Sequence, residues 1–369
     1  MVLNPPLILV SALFFLALSS ILYIASWLVA SLFLRAGASR ISHAGAKRVL
    51  MAALLLPPVL AAVPTVGGAT LNHTHARPYA EHHSMLCRQM FSHFLDVTSV
   101  RGSLAAGVIA NGAAWLLVAA GAAMLVRLLI ATIRLERELT PFLIPPSPKL
   151  MRAMERVSER MPSLEAERFY ECAIPASYSS VLGFLRARCV LSRAFIAAAT
   201  DDELEAVVAH EAGHLRYGDV RSTVVVGALN CLFFTLQPVR LLSRRWREAA
   251  ELACDDAAVA ATGKPLAMAS AILRVSGVPV KAPDARRALP ATSLAFADEA
   301  ACAPGKRVER LMAQAQSAAH PAIGDAPGHT VGGWVVTLLL AALGIAVLVS
   351  AEAVCYAHCS LETVARLLP

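Results

Sequence analysis

From Leu7 to Leu34 the chain runs 28 residues without a charged side chain. In lipid every backbone N–H and C=O must be satisfied within the segment, so a lone run of this kind has to be a helix, and about 20 apolar residues suffice to span. A secretory signal has a basic start and a shorter core. Met1-Val2-Leu3-Asn4-Pro5-Pro6 carries no Lys or Arg, so a retained span is expected. Composition agrees: 57% hydrophobic against 16% charged residues, with mean hydropathy +0.59, excludes a wholly soluble domain. The net charge of +7 forms no basic stripe interleaved with aromatics. Direct nucleic-acid binding is therefore not expected, and bilayer topology accounts for the excess.

Arg35, Arg40, Lys47 and Arg48 follow the first span at once, which places that connection in the cytoplasm and the N-terminus outside. Val49 to Val66 returns outward, with Pro57-Pro58 expected to kink it. A polar extracytoplasmic segment, 67–103, holds His73, His75, His82, His83, His93 and Cys87. Their irregular spacing favours a plain polar loop over a metal or acid sensor. Leu104 to Ile130 is the third expected span, with Asn111 suited to interhelical hydrogen bonding and Arg127 near its inner end. Residues 131–330 form a cytoplasmic block long enough for one core. Val331 to Ser350 is a fourth span, and 351–369 a short outer tail.

Within the block, Lys149 to Arg160 has the pattern of an amphipathic helix. Glu167 to Ile174 and Val181 to Leu191 have that of short strands. Val224 to Leu236 is apolar but too short to span straight, so a buried or interface-lying helix is expected. The stretch 278–301, rich in Pro and Ala, is expected to be a loop and a candidate self-cleavage site. Cys172, Cys189, Cys231, Cys254 and Cys302 fall in the reducing compartment. Cys87, Cys355 and Cys359 lie outside, where one bridge could form. The expected fold class is a mainly α membrane protein, four transmembrane helices with a cytoplasmic α+β domain.

The chemistry is carried by Thr200 to His214. Thr200 and Glu203 make a capping box, and the apolar residues after them recur at helical spacing, giving a helix over about 201–216. His210 and His214, at i and i+4, share one face and can reach one tetrahedral Zn2+, with Glu211 beside them as general base toward a water. A surface helix with two solvated histidines is the plainer alternative. A second stretch, Arg247 to Asp256, weighs against it, because Glu251 and Asp255 again stand at i and i+4. Glu251 suits the third ligand position, and Asp255 suits a hydrogen bond to a ligand histidine, expected to be His210. Glu248 competes with Glu251 but has Leu252 four residues on, where a carboxylate is wanted. Tyr217 and Arg247 are the nearby candidates for an oxyanion donor. Asp219 is expected to bond backbone or Arg at the helix end, and Cys254 to be a buried small hydrophobe. An edge strand beside such a helix commonly pairs with substrate backbone, and Arg188, Cys189, Val190 and Leu191 are the candidate.

The order of spans, then Ser179-Ser180-Val181-Leu182-Gly183-Phe184, His210-Glu211-Ala212-Gly213-His214 with Asp219, and Glu251-Leu252-Ala253-Cys254-Asp255, resembles the BlaR/MecR-type transmembrane metallopeptidases, the β-lactam-sensing antirepressor family. The likeness covers roughly 1–310 and is most specific between 178 and 260. It implies a gluzincin-type endopeptidase of the bacterial inner membrane with one Zn2+ on His210, His214 and Glu251 and with Glu211 as base. It also implies protein substrates that include the enzyme itself and a BlaI/MecI-type repressor. The family's penicillin-binding sensor domain is expected to be absent, since about 19 residues follow Ser350, so a β-lactam is not the expected stimulus. An oligomer is compatible with this reading. Two other classes share some of these features: a housekeeping membrane protease of the HtpX and prenyl-protease kind, and a catalytically silent receptor.

Overall fold

The computed structural model describes residues 5–37, 41–71, 104–173, 179–183, 186–276 and 304–319. Three long helices come first: α1 (Pro5–Ala36), α2 (His43–Leu71) and α3 (Leu104–Leu139). Each contains a stretch long and apolar enough to cross a membrane, Leu18–Ala36, His43–Ala62 and Val118–Phe142. α3 runs on to Leu139 rather than stopping at Ile130, because nothing breaks the helix before Pro141. Residues 67–71 of the expected outer segment 67–103 are the last turn of α2 rather than loop; the rest of that segment, the expected fourth span, the loop at 278–301 and the cysteines at 87, 302, 355 and 359 lie outside the described residues.

After a 3₁₀ turn at Thr140–Phe142 comes a small sheet with an amphipathic helix beside it. Its strands are β1 (Leu143–Ile144), β2 (Phe169–Cys172), β3 (Ser179–Leu182) and β4 (Arg188–Ser192), and their order is β1-β2-β4-β3. The run from Val181 to Leu191 is thus two antiparallel strands rather than one. The chain reverses after Gly183, whose φ of 96° favours glycine, and Val181 faces Cys189 across the pair. β2 and β4 run parallel, joined by the β3 excursion. Helix α4 (Pro148–Ser158) is capped by Ser147 and buries Leu150, Ala153, Met154 and Val157, the i, i+3, i+4, i+7 stripe of an amphipathic helix.

The remaining helices are α5 (Arg193–Ala198), α6 (Asp201–Tyr217), α7 (Asp219–Leu232), α8 (Gln237–Thr262), α9 (Pro265–Ser276) and α10 (Pro304–Ala319). Gly218, left-handed at φ 66°, ends α6 and lets α7 start at the next residue. α7 covers the apolar run expected near the membrane. Its Val226 and Leu229 join Tyr23 of α1, Leu50 and Leu54 of α2, and Val239, Leu242 and Trp246 of α8 in one apolar cluster. Close approach to α3 is allowed by Gly121, whose missing Cβ would lie 3.3 Å from the Cys231 carbonyl oxygen. A second cluster joins α4, the sheet, α5, α6, α9 and α10 with the far half of α8, through Leu150, Phe169, Leu191, Phe195, Leu204 and Leu311.

Candidate metal centre

Helix α6 begins with a complete capping box. The Thr200 hydroxyl accepts from the Glu203 N–H (3.2 Å), and Glu203 Oε2 accepts from the Thr200 N–H (2.8 Å). Positions 203–213, three full turns, are all buried, so this part of the helix is covered by protein on every side. α8 lies across them, and Gly213 permits it. A Cβ there would stand 3.2 Å from Cys254 Sγ and 3.4 Å from Cys254 Cα, tighter than ordinary contact. Small residues on both helices therefore bring two distant stretches of sequence within reach of one another.

At the crossing, His210 Nε2 is 3.6 Å from Glu251 Oε2, and His214 Nε2 is 3.5 Å from Glu251 Oε1. The two imidazoles meet edge to face, with centroids 4.9 Å apart. These separations are too long for hydrogen bonds. They do match the edges of a donor tetrahedron, since ligand atoms about 2.0–2.2 Å from a zinc ion stand roughly 3.3–3.6 Å apart. The ligand atoms of all three residues lie within 4.8 Å of one another, so the donor set fits such an ion.

The far nitrogens are also engaged. His210 Nδ1 is 3.1 Å from Asp255 Oδ1, at ion-pair distance but off the line of a hydrogen bond. His214 Nδ1 hydrogen-bonds Asp219 Oδ2 at 2.8 Å. Asp219 therefore does not bond backbone or Arg at the helix end, as its sequence position suggested. It orients the second histidine, because Gly218 turns α7 back so that its first residue faces His214. Burial disfavours the imidazolium at both histidines, yet Asp255 and Glu251 at His210, and Cys254 followed by Asp219 and Glu251 at His214, hold their pKa above the usual histidine value.

Arg307 of α10 completes the carboxylate side. Its Nε and Nη2 grip the fully buried Asp255 (2.9 and 2.6 Å), and Nη1 reaches Glu251 Oε2 at 2.8 Å. Burial would push both carboxyls up. His210 and Arg307 hold Asp255 down at about 2, and the two histidines with Arg307 hold Glu251 well below the carboxylate range, so both are ionised. Nothing in the sequence marked Arg307, which comes from a helix more than fifty positions away. Tyr217 carries the Lys47 ammonium over its ring, 4.4 Å from the centroid. Cys254 is buried, 3.3 Å from His214 Nδ1 and 3.8 Å from Asp219 Oδ2.

A family model described as BlaR1 peptidase M56 matches residues 15–285. The chain belongs to that family. The matched span takes in α2, α3, most of α1 and every group of the site except Arg307. A plastoglobule-localized metallopeptidase 48, chloroplastic, of Arabidopsis thaliana is 28% identical over 125 residues, which are 31% of this chain and 36% of the relative. The chain thus matches about a third of the length of that curated relative. No solved structure matches the chain.

In this BlaR1-family peptidase Glu211 is buried beside the two histidines, and its charge reaches β4. Burial first, and the Glu211 carboxylate second, push the Cys189 thiol up. The candidate strand itself needs correction. Arg188 to Leu191 lies between β2 and β3 with both sides paired, and Cys189, Val190 and Leu191 are buried. A peptide cannot add to a strand whose backbone is already bonded on either side. Its buried apolar run is the mark of an interior strand, and sequence alone had not separated it from an edge. The terminal strands of the described sheet are β1 and β3, of which β3 packs on α6.

Proposed function

We propose that this chain is an integral-membrane zinc endopeptidase in which His210, His214 and Glu251 hold one Zn2+. The observation that carries the reading is the pair of 3.5 and 3.6 Å nitrogen–carboxylate separations, each histidine having a carboxylate at its far nitrogen. Bound there, zinc supplies Lewis acidity that polarises a peptide carbonyl and lowers the pKa of a water to about 7. Glu211 takes the proton from the attacking water and delivers it to the leaving amine. Asp255 and Asp219 hold the two imidazole rings in place, and Arg307 keeps Glu251 and Asp255 ionised. β3 offers an extended substrate a free backbone edge next to α6.

The block faces the cytoplasm in this reading. Arg35, Lys47 and Arg48 flank the α1–α2 connection, and Lys47 reaches the metal site itself, so the site lies on the side where the positive-inside rule puts basic residues. Its substrates are proteins, a BlaI/MecI-type repressor first among them, and the loop at 278–301 is the place where it would cut itself. A housekeeping protease of the HtpX kind would want a true span between the two half-sites. α7, with 14 residues, is too short for that. In cells carrying the full chain, wild type under inducing conditions should lose full-length chain and repressor candidate on blots while Glu211→Ala should not. Identical band patterns would remove the protease reading.

A further inference from the structure

Beyond the groups at the metal centre itself, one buried cation is unusual. Lys47 lies inside α2, in a stretch apolar enough to cross a membrane, and is 7% exposed. Its ammonium makes a short ion pair with Asp219 Oδ1 and sits over the Tyr217 ring. The other oxygen of the same carboxylate takes His214 Nδ1. A buried ammonium is costly unless paired, and here its single carboxylate partner is the one that orients a histidine of the site. One turn earlier on the same face of α2, His43 Nδ1 meets Asp256 Oδ2 at 2.7 Å, and Arg310 of α10 holds the other oxygen of Asp256. Asp256 directly follows Asp255 on α8. The i, i+4 pair His43 and Lys47 thus ties α2 to the carboxylate behind His214 and to the residue next to Asp255 on α8.

We infer that Lys47 is a positioning residue for the metal centre, fixing the His214 ring through Asp219 and so tying the setting of α2 to the geometry around the metal. This rests on the zinc reading above. A shift of α2 along its axis moves the ammonium, the carboxylate follows, and the imidazole turns. No contact between Lys47 and the metal or substrate is needed.

The test uses the full-length chain in lipid nanodiscs, with Zn2+ affinity from chelator competition and the ligand-field absorption of the Co2+-loaded protein as readouts beside proteolysis. Lys47→Met should weaken Zn2+ binding by about tenfold, the range for a group behind a ligand histidine, and alter the cobalt bands, with kcat falling more than KM rises. Lys47→Arg should restore both to near wild type. Because Met leaves Asp219 buried without its partner, Lys47→Gln, which keeps a neutral donor there, gives the same sign at about threefold where the Met chain does not fold. The double variant Lys47→Met/Asp219→Asn should bind no more weakly than Asp219→Asn alone. Wild-type affinity and an unchanged cobalt spectrum in Lys47→Met or Lys47→Gln, or losses that add in the double variant, would overturn the proposal. A wild-type chain that takes up neither Zn2+ nor Co2+ overturns the zinc reading itself, which separates the two failures.

Discussion

The two apolar cores of this protein meet on one helix and differ in kind. The core on the side of the long helices is almost wholly apolar, with Tyr23, Leu50, Leu54, Val239, Leu242 and Trp246 at its centre. Its polar ties run between helices, such as the Tyr23 hydroxyl donating to the Leu54 carbonyl at 2.9 Å and Arg245 donating to the Ser31 hydroxyl at 2.7 Å, and carry no net charge into its centre. The core around the sheet is bordered by buried ions: Glu203 and Asp255, both held ionised by their partners, are under 5% exposed. Each charge costs desolvation that only a specific partner offsets, so this core is specific where the other is merely apolar. α8 belongs to both. Its first half carries Trp246 into the apolar core, and its second half carries Glu251 and Asp255 to the histidines. The candidate metal centre therefore sits at the seam, where a displacement of the long apolar helices would meet the groups least tolerant of one.

The comparison can be broken or sharpened in three places. Trp246→Ala should have the largest effect on stability, about 3–5 kcal/mol by the usual cost of deleting a buried aromatic. Denaturation of the full chain in detergent would read it, and a loss under about 1 kcal/mol would mean that lipid rather than protein surrounds this indole. Next, Arg307→Met should leave the apolar core intact but weaken Zn2+ binding by about 10–100-fold, roughly 1.4–2.8 kcal/mol, because Glu251 and Asp255 lose the cation that holds them. Chelator competition reads it, and unchanged affinity would remove Arg307 from the site's support. The smallest effect belongs to the start of α6. Thr200→Ala should cost about 1 kcal/mol with Zn2+ affinity kept, measured by thermal unfolding. That cap should also be acid-sensitive. Burial would raise the Glu203 carboxyl, but Ser270, the Thr200 N–H and Arg274 hold it below its ordinary value. A depressed carboxylate stabilises at pH values above its unfolded pKa near ~4.3 and stops doing so as pH falls through the folded value. Stability should then fall in acid by an amount that Glu203→Gln removes, read by thermal unfolding across pH; an acid loss unchanged in Glu203→Gln would uncouple the cap from this carboxylate.

Much of the site was legible because its signals are local. A capping box and an i, i+4 pair of histidines set phase and face whatever else the chain does, and the same holds for Glu251 and Asp255. The strands were less legible. A short apolar run such as Arg188 to Leu191 does not say whether it is an edge or an interior strand, and the reversal at Gly183 hid inside what looked like one segment. Asp219 was misjudged because its role depends on the direction in which α7 leaves Gly218. Arg307 and Lys47 carried no signal, being single cations on helices that reach the site from opposite ends of the chain.

By itself, then, the sequence determined what short-range geometry and solvent transfer control: helices apolar enough for a bilayer, a capped helix bearing His210, Glu211 and His214 on known faces, and a second helix bearing two carboxylates. Only the tertiary structure decided that Asp219 stands behind His214, that Arg188 to Leu191 lies inside the sheet, and that a lysine in an apolar, span-length helix reaches the same carboxylate. Those outcomes depend on contacts between segments far apart in the chain, and spacing along a sequence carries no information about the angle at which two helices cross.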